Sequence, residues 1–193
     1  MDFYIFARET VRTFITPFYR IEVIGHDNIP ESGPVIICSN HIDNLDPPVV
    51  GISVKRPVHF MAKEELFKVP ILGKIISKTH AFPVKRGMSD RDALRKALKV
   101  LKDGNVLGLF PEGTRSKDGK LGKGLAGAGF FALRSEATVI PCAVIGPYKM
   151  FGKLKVVFGE PISMEKLREE KASPEFVTDQ IMNGIGQLIE KYK

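Results

Sequence analysis

The sequence contains no uninterrupted run of the roughly eighteen apolar residues that a spanning helix requires, which excludes a helix that crosses a bilayer. Cysteine is scarce. Cys38 and Cys142 are the only two, each inside an apolar run (Val-Ile-Ile-Cys and Ile-Pro-Cys-Ala-Val) where a free thiol behaves as a small buried hydrophobe. With no secretory signal ahead of them, they exclude a disulfide framework and fit a reducing, cytosolic compartment. The four histidines show no metal-ligand spacing with the cysteines or with each other, so no structural or catalytic metal is expected. No serine stands in a G-x-S-x-G setting, so a serine nucleophile of that kind is excluded. Low-complexity tracts and internal repeats are also absent, which argues against disorder and against a solenoid.

What is present fits one ordinary globular domain. The 193 residues are 44% hydrophobic and 26% charged, enough to bury a single core. Lys and Arg (29) exceed Asp and Glu (22), and a surplus of that sign favours anionic partners: nucleic acid, an anionic bilayer surface or phosphorylated small molecules. Basic residues are not interleaved with aromatics and no nucleic-acid-binding motif occurs, so no nucleic-acid partner is expected.

Residues 1–20 read as an amphipathic helix ahead of the main domain, 21–193. Phe3, Ala7, Val11, Phe14 and Phe18 recur at helical spacing while Asp2, Arg8 and Arg12 fall elsewhere. Such a helix either lies in a membrane interface or packs on the protein's own core. Beyond it, short β-branched runs alternate with longer helical segments, the pattern of an α/β domain with a mixed, largely parallel sheet flanked by helices. Strands are expected near Ile21 to Gly25, Val35 to Ser39, Val58 to Ala62, Ala81 to Val84, Val106 to Phe110, Thr138 to Val144 and Leu154 to Phe158. Most are continuously apolar, as strands covered on both faces are. Helices are expected to begin near Asp46, around Ile71 to Lys78, from Ser89 to Lys102, around Gly124 to Arg134, and near Pro174 to Lys191. Ser89, with Asp92 three residues on, reads as the N-cap of its helix, and Gly104 as its stop signal.

Three stretches carry chemistry. The first, Asn40-His41-Ile42-Asp43-Asn44-Leu45-Asp46-Pro47-Pro48, follows an apolar strand directly. Residues five apart on a helix lie about 140° apart, so the chain must turn if His41 and Asp46 are to meet. Asn44 and Asp46 are turn and N-cap types, and Pro47 suits a first helical position, so Asp46 can begin a helix with its carboxylate facing back. A carboxylate on one imidazole nitrogen fixes the tautomer and raises the basicity of the other, which can then take a proton from an attacking hydroxyl. Without a serine, the acceptor's own hydroxyl is the natural nucleophile. Asp43 is the rival partner for His41, and spacing leaves both open.

The second stretch, Phe110-Pro111-Glu112-Gly113-Thr114-Arg115-Ser116, lies between a buried strand and a helix, where sites are commonly built. Gly113 allows close backbone approach, Thr114 and Ser116 bring hydroxyls, and Arg115 offers a planar fork suited to a phosphate monoester. Glu112 can orient Arg115 or accept a hydrogen bond from a glycerol hydroxyl. The third, Phe82-Pro83-Val84-Lys85-Arg86-Gly87, is another strand running into a basic turn, with Arg86 as a second phosphate contact. Lys63 repeats the theme just beyond its strand.

Asn40-His41 to Asp46, Phe82 to Gly87, Phe110 to Ser116 and Val139-Ile140-Pro141 together resemble the four ordered blocks of the 1-acylglycerol-3-phosphate acyltransferase family, over about Pro34 to Ile162. The resemblance implies that His41 is the general base, Asp46 its orienting carboxylate, and Lys63, Arg86, Glu112, Gly113, Thr114 and Arg115 the phosphate-glycerol site. It implies transfer of an acyl group from acyl-CoA or acyl-carrier protein to the 2-hydroxyl of lysophosphatidic acid, with no cofactor or metal. It also implies peripheral action at the cytoplasmic face of the cell membrane. His80 stands where many relatives carry glycine, and Cys142 departs from the usual aliphatic fourth block. The alternatives are an acyltransferase for another lyso-lipid, a non-catalytic lipid-binding membrane module, and a His/Asp hydrolase releasing free fatty acid.

Overall fold

The computed structural model describes residues 3–85 and 90–193. Seven strands, β1 (Arg20–Ile24), β2 (Val35–Ser39), β3 (Val58–Lys63), β4 (Phe82–Val84), β5 (Val106–Leu109), β6 (Thr138–Ile145) and β7 (Lys153–Phe158), form one sheet in the order β1-β7-β6-β2-β5-β3-β4. β6 and β7 run antiparallel, and the other named pairings are parallel. Each strand lies within one residue of its expected bounds. For β2, β5 and β6 the reason is that strands buried on both faces announce themselves as unbroken apolar runs.

The helices are α1 (Phe3–Ile15), α2 (Asp46–Ile52), α3 (Glu64–Phe67), α4 (Leu72–Lys78), α5 (Arg91–Lys102), α6 (Gly127–Arg134), α7 (Glu165–Glu169) and α8 (Pro174–Tyr192). The sequence reading missed α3 and α7, which at four and five residues are too short for a hydrophobic period to register. α6 begins at Gly127, three residues later than expected, and the caps of α5 and α2 differ from the expected ones. Asp90, not Ser89, caps α5: its Oδ1 accepts the Ala93 amide at 3.0 Å and its Oδ2 the Lys85 amide at 2.9 Å. Ser89 itself lies outside the described residues. Leu45 occupies the cap position of α2, which places Asp46 one residue inside the helix and frees its carboxylate from capping.

The sheet is covered on both faces. Ile36, Cys38, Leu107, Leu109 and Val139 point into one core with Ala97, Leu101, Phe131, Ala132, Val177 and Ile181 from α5, α6 and α8. Val35, Ile37, Val106, Ile140, Cys142 and Val156 point into the other, with Val49 and Val50 of α2. Strand alternation thus puts Cys38 and Cys142 on opposite faces, and both are buried free thiols. Burial pushes the Cys142 thiol up to about 12, and Cys38 higher still, so neither is a nucleophile.

α1 packs on α2 in an orientation the sequence pattern does not suggest. Arg8 Nη1 donates to the Lys55 carbonyl at 2.7 Å and Arg12 Nη2 to the Ile52 carbonyl at 2.6 Å, so both guanidinium groups reach carbonyls at the end of α2 and in the turn just beyond it. Phe3, Ile5, Phe6, Phe14 and Phe18 are exposed, while Ala7 and Val11 are half-buried. The expected stripe therefore does not form one face. The helix also stops at Ile15, because Pro17 disfavours helical geometry at Thr16.

α6 and α8 meet at close range through Gly129, whose N–H donates to Thr178 Oγ1 at 3.0 Å and where a Cβ would run into the Pro174 carbonyl oxygen. Because that obstacle is backbone, Gly129→Ala is expected to cost about 2 kcal/mol or more of stability, read as a lower urea midpoint at unchanged slope.

Candidate active site

The parallel strands β2, β5, β3 and β4 end on one rim of the sheet, the place where α/β sheets bind ligands. Past β2, the buried Asn40 carries the pairing one step further with its side chain: Nδ2 donates to the Val144 carbonyl at 2.9 Å and Oδ1 accepts the Val144 amide at 2.8 Å. His41 comes next and is held from both sides by the loop after β5. Its N–H donates to Glu112 Oε1 at 2.9 Å, and its carbonyl accepts the Ser116 amide at 2.8 Å. Its ring stacks on Phe110 with centroids 4.3 Å apart, and Phe60 stacks behind Phe110.

His41 Nδ1 lies 2.7 Å from Asp46 Oδ2. The same oxygen accepts the Ile42 amide at 2.6 Å and the Asp43 amide at 2.8 Å, while Oδ1 accepts the Tyr148 hydroxyl at 2.7 Å. Asp46 is 0% exposed, so four donors satisfy a carboxylate taken wholly out of water. Asp43 faces elsewhere, its Oδ1 accepting the Leu45 amide at 3.0 Å in a tight Asx-type turn. A carboxylate oxygen only accepts, which makes Nδ1 the protonated nitrogen and leaves Nε2 a lone-pair base. The His41 side chain keeps 13% of its surface exposed, while Asp46 behind it keeps none.

Glu112 departs from its expected use. It is buried and does not pair with Arg115; its Oε1 takes the His41 amide and its Oε2 the Gly122 amide at 2.9 Å. The turn that presents it closes through the Gly113 amide on the Phe110 carbonyl, with Gly113 at φ 68°, a value that favours glycine. Thr114 and Arg115 are exposed, and they line an open pocket of about 420 Å³ with Lys117, Lys120 and Lys123. Lys63 ends β3 opposite Val84 on the same rim, two strands from β2 and so roughly 10 Å from it at the usual strand spacing. Arg86 lies outside the described residues.

The other histidines are placed differently. His59 and His80 lie 4.8 Å apart centre to centre, with Tyr4 packed on His80 at 5.1 Å. Burial and the neighbouring His80 hold His59 below the usual imidazole range. His80 has φ 62°, which accounts for glycine being the easier residue there. The sequence reading missed Tyr148 altogether. It lies 102 residues beyond Asp46 in a Gly-Pro-Tyr turn, and no linear spacing points from one to the other.

An acyltransferase family model matches residues 20–145. A chloroplast 1-acyl-sn-glycerol-3-phosphate acyltransferase of Arabidopsis thaliana is 34% identical over 165 residues, 79% of this chain and 46% of that protein. The 1-acyl-sn-glycerol-3-phosphate acyltransferase of Bacillus subtilis is 31% identical over 166 residues, 82% of either chain. The chain thus spans less than half of the plant relative and most of the bacterial one. The crystal structure of the 1-acyl-sn-glycerophosphate acyltransferase from Thermotoga maritima superposes with a TM-score of 0.80 at 24% identity, over 98% of this chain and 80% of that one, which shows the shared fold.

Glu112→Gln offers one oxygen where two amides need acceptors. The variant is expected to lose about 1–3 kcal/mol of stability and to lower turnover through the loosened His41 backbone, measured by urea denaturation beside an activity assay.

Proposed function

The chain belongs to the acyltransferase family, and on that premise we propose that it transfers a fatty acyl group from an acyl thioester to the 2-hydroxyl of 1-acylglycerol 3-phosphate, giving phosphatidic acid. The observation that carries the reading is the 2.7 Å contact of His41 with the buried Asp46, which leaves Nε2 as a base beside the cationic loop. His41 Nε2 takes the hydroxyl proton as the oxygen attacks the thioester carbonyl. Asp46 stabilises the imidazolium that forms. The tetrahedral intermediate then expels the sulfur, which leaves as a thiol with the proton His41 returns, so base and acid roles fall to one ring. The coenzyme A or acyl-carrier-protein thioester is a co-substrate, and the scheme calls on no cofactor.

Arg115 and Thr114, with the Gly113 backbone close by, are assigned to the acceptor's phosphate and glycerol, and Lys63, at the end of β3, to the same phosphate; Arg86 keeps the same assignment from the sequence alone. Glu112 is assigned to holding the loop and His41 in register. The surplus of positive charge draws both anionic substrates.

The same reading places the protein peripherally on the cytoplasmic face of an anionic membrane. Among the described residues no helix is long and apolar enough to cross a bilayer. Support for surface contact is the outer face of α1, where Phe6 is 59% and Phe14 69% exposed. Leu66, Ile71, Leu72 and Ile75 of the α3–α4 segment are exposed as well, and Lys78 of α4 lies over the Phe3 ring at 5.0 Å. Large apolar side chains on a surface rimmed by lysines suit an interface of acyl chains and anionic headgroups.

Thiol release from a long-chain acyl-CoA, or from acyl-acyl-carrier protein, is expected to depend on added 1-acylglycerol 3-phosphate and to fall about 100-fold or more in His41→Ala. Full turnover in that variant, or release without acceptor, would sink the assignment. In a sedimentation assay with anionic vesicles, Phe6→Ser with Phe14→Ser is expected to weaken partitioning at least about tenfold while leaving the fold intact.

A further inference from the structure

We infer that Tyr148 is a positioning residue for the His41–Asp46 pair, holding the carboxylate by its second oxygen and setting the proton affinity of the imidazole. The inference rests on the acyltransferase reading for its consequence but on geometry for its substance. The Tyr148 hydroxyl donates to Asp46 Oδ1 at 2.7 Å, whereas His41 and the Ile42 and Asp43 amides all converge on Oδ2. Without Tyr148, Oδ1 is a buried acceptor with no described partner, while Oδ2 keeps His41 and the two amides.

The tyrosine is itself built into place. It follows β6 through Gly146, at φ 125°, and Pro147, and it packs half-buried on the core beneath α2. Tyr19 meets its ring edge-on at 5.6 Å, and nearby the Phe151 amide donates to the Phe18 carbonyl at 2.7 Å, so the α1–β1 connection braces the β6–β7 loop. Burial and the Asp46 charge push the phenol well above its ordinary range, so it stays a proton donor at any working pH.

The sign of the effect follows from where the charge sits. A hydroxyl bonded to Oδ1 draws carboxylate charge away from Oδ2. Removing it concentrates that charge against His41 Nδ1 and favours the imidazolium. The other ionisable groups around the pair keep their partners in Tyr148→Phe: Asp43 on the Leu45 amide, Glu112 on the His41 and Gly122 amides. Tyr19 retains a phenyl edge to pack on, and Arg115 and Lys117 are solvated cations of the facing loop.

Two readouts test this. In Tyr148→Phe, the NMR titration midpoint of the His41 imidazole is expected to rise by about half a unit or more, a threefold change in the acid-to-base ratio. Turnover at neutral pH is expected to fall by up to about threefold, with KM for acceptor and donor within twofold and the acid limb of the pH–rate profile displaced upward by the same half unit. An unmoved midpoint overturns the inference, whether turnover is kept or falls in step with the folded fraction. Wild-type protein that shows no acceptor-dependent thiol release would defeat the acyltransferase reading instead, and the titration would still decide the role of Tyr148.

Discussion

A single buried carboxylate organises this molecule around its chemistry. Removing an ion from water costs several kcal/mol, and Asp46 offsets that with four donors, each a charge-assisted hydrogen bond of about 1.5–3 kcal/mol. The donors come from three places: the turn that follows β2, the His41 ring and the β6–β7 loop. Satisfying one side chain therefore fixes the path of the chain between strand and helix and ties down a loop a hundred residues away. The arrangement also explains why Asp46 sits inside α2 and not at its cap, since a carboxylate spent on its own helix amides would not reach back to His41.

A second carboxylate divides the work. Asp46 governs the His41 ring, and Glu112 governs the His41 backbone while binding the far side of its own loop through Gly122. With the ring faced by Phe110, the histidine is held at its amide, its carbonyl, its Nδ1 and one ring face, and Nε2 is the part left over for substrate. In the proposed reaction, a base fixed in this way spends little free energy on orientation at the moment of proton transfer. Glu112 in a cationic loop looks misplaced when it is taken for a substrate contact; as the acceptor of the His41 and Gly122 amides it ties the turn after β2 to the far side of its own loop.

The sequence made the middle of the sheet legible because β2, β5 and β6 are short apolar runs closed by Gly, Pro or polar residues, and it made the His41 turn legible because Asn44, Asp46 and Pro47 have strong local preferences. What it hid was set by tertiary contact. Spacing from His41 leaves both Asp43 and Asp46 open, and tertiary contacts separate them: Asp46 meets the imidazole at 2.7 Å while Asp43 accepts the Leu45 amide. Tyr148 and Glu112 act across long sequence separations on groups whose partners no periodicity encodes. The start of α5 was displaced because Asp90 and Ser89 are both good caps, and the Lys85 amide at 2.9 Å from Asp90 gives that residue a second bond.

α1 shows how a correct observation can yield the wrong face. Its composition is amphipathic, but its arginines reach carbonyls at the end of α2 and just beyond it, while Ala7 and Val11 are only half-buried. In water that leaves Phe6 and Phe14 at a standing cost, since a fully exposed phenylalanine forgoes about 1.5–3 kcal/mol of burial. A helix arranged this way is economical only where something apolar covers its outer side. The proposed bilayer contact supplies such a cover, and the inward arginines then join the lipid-facing helix directly to the far end of α2, the seven-residue helix whose first residue is Asp46.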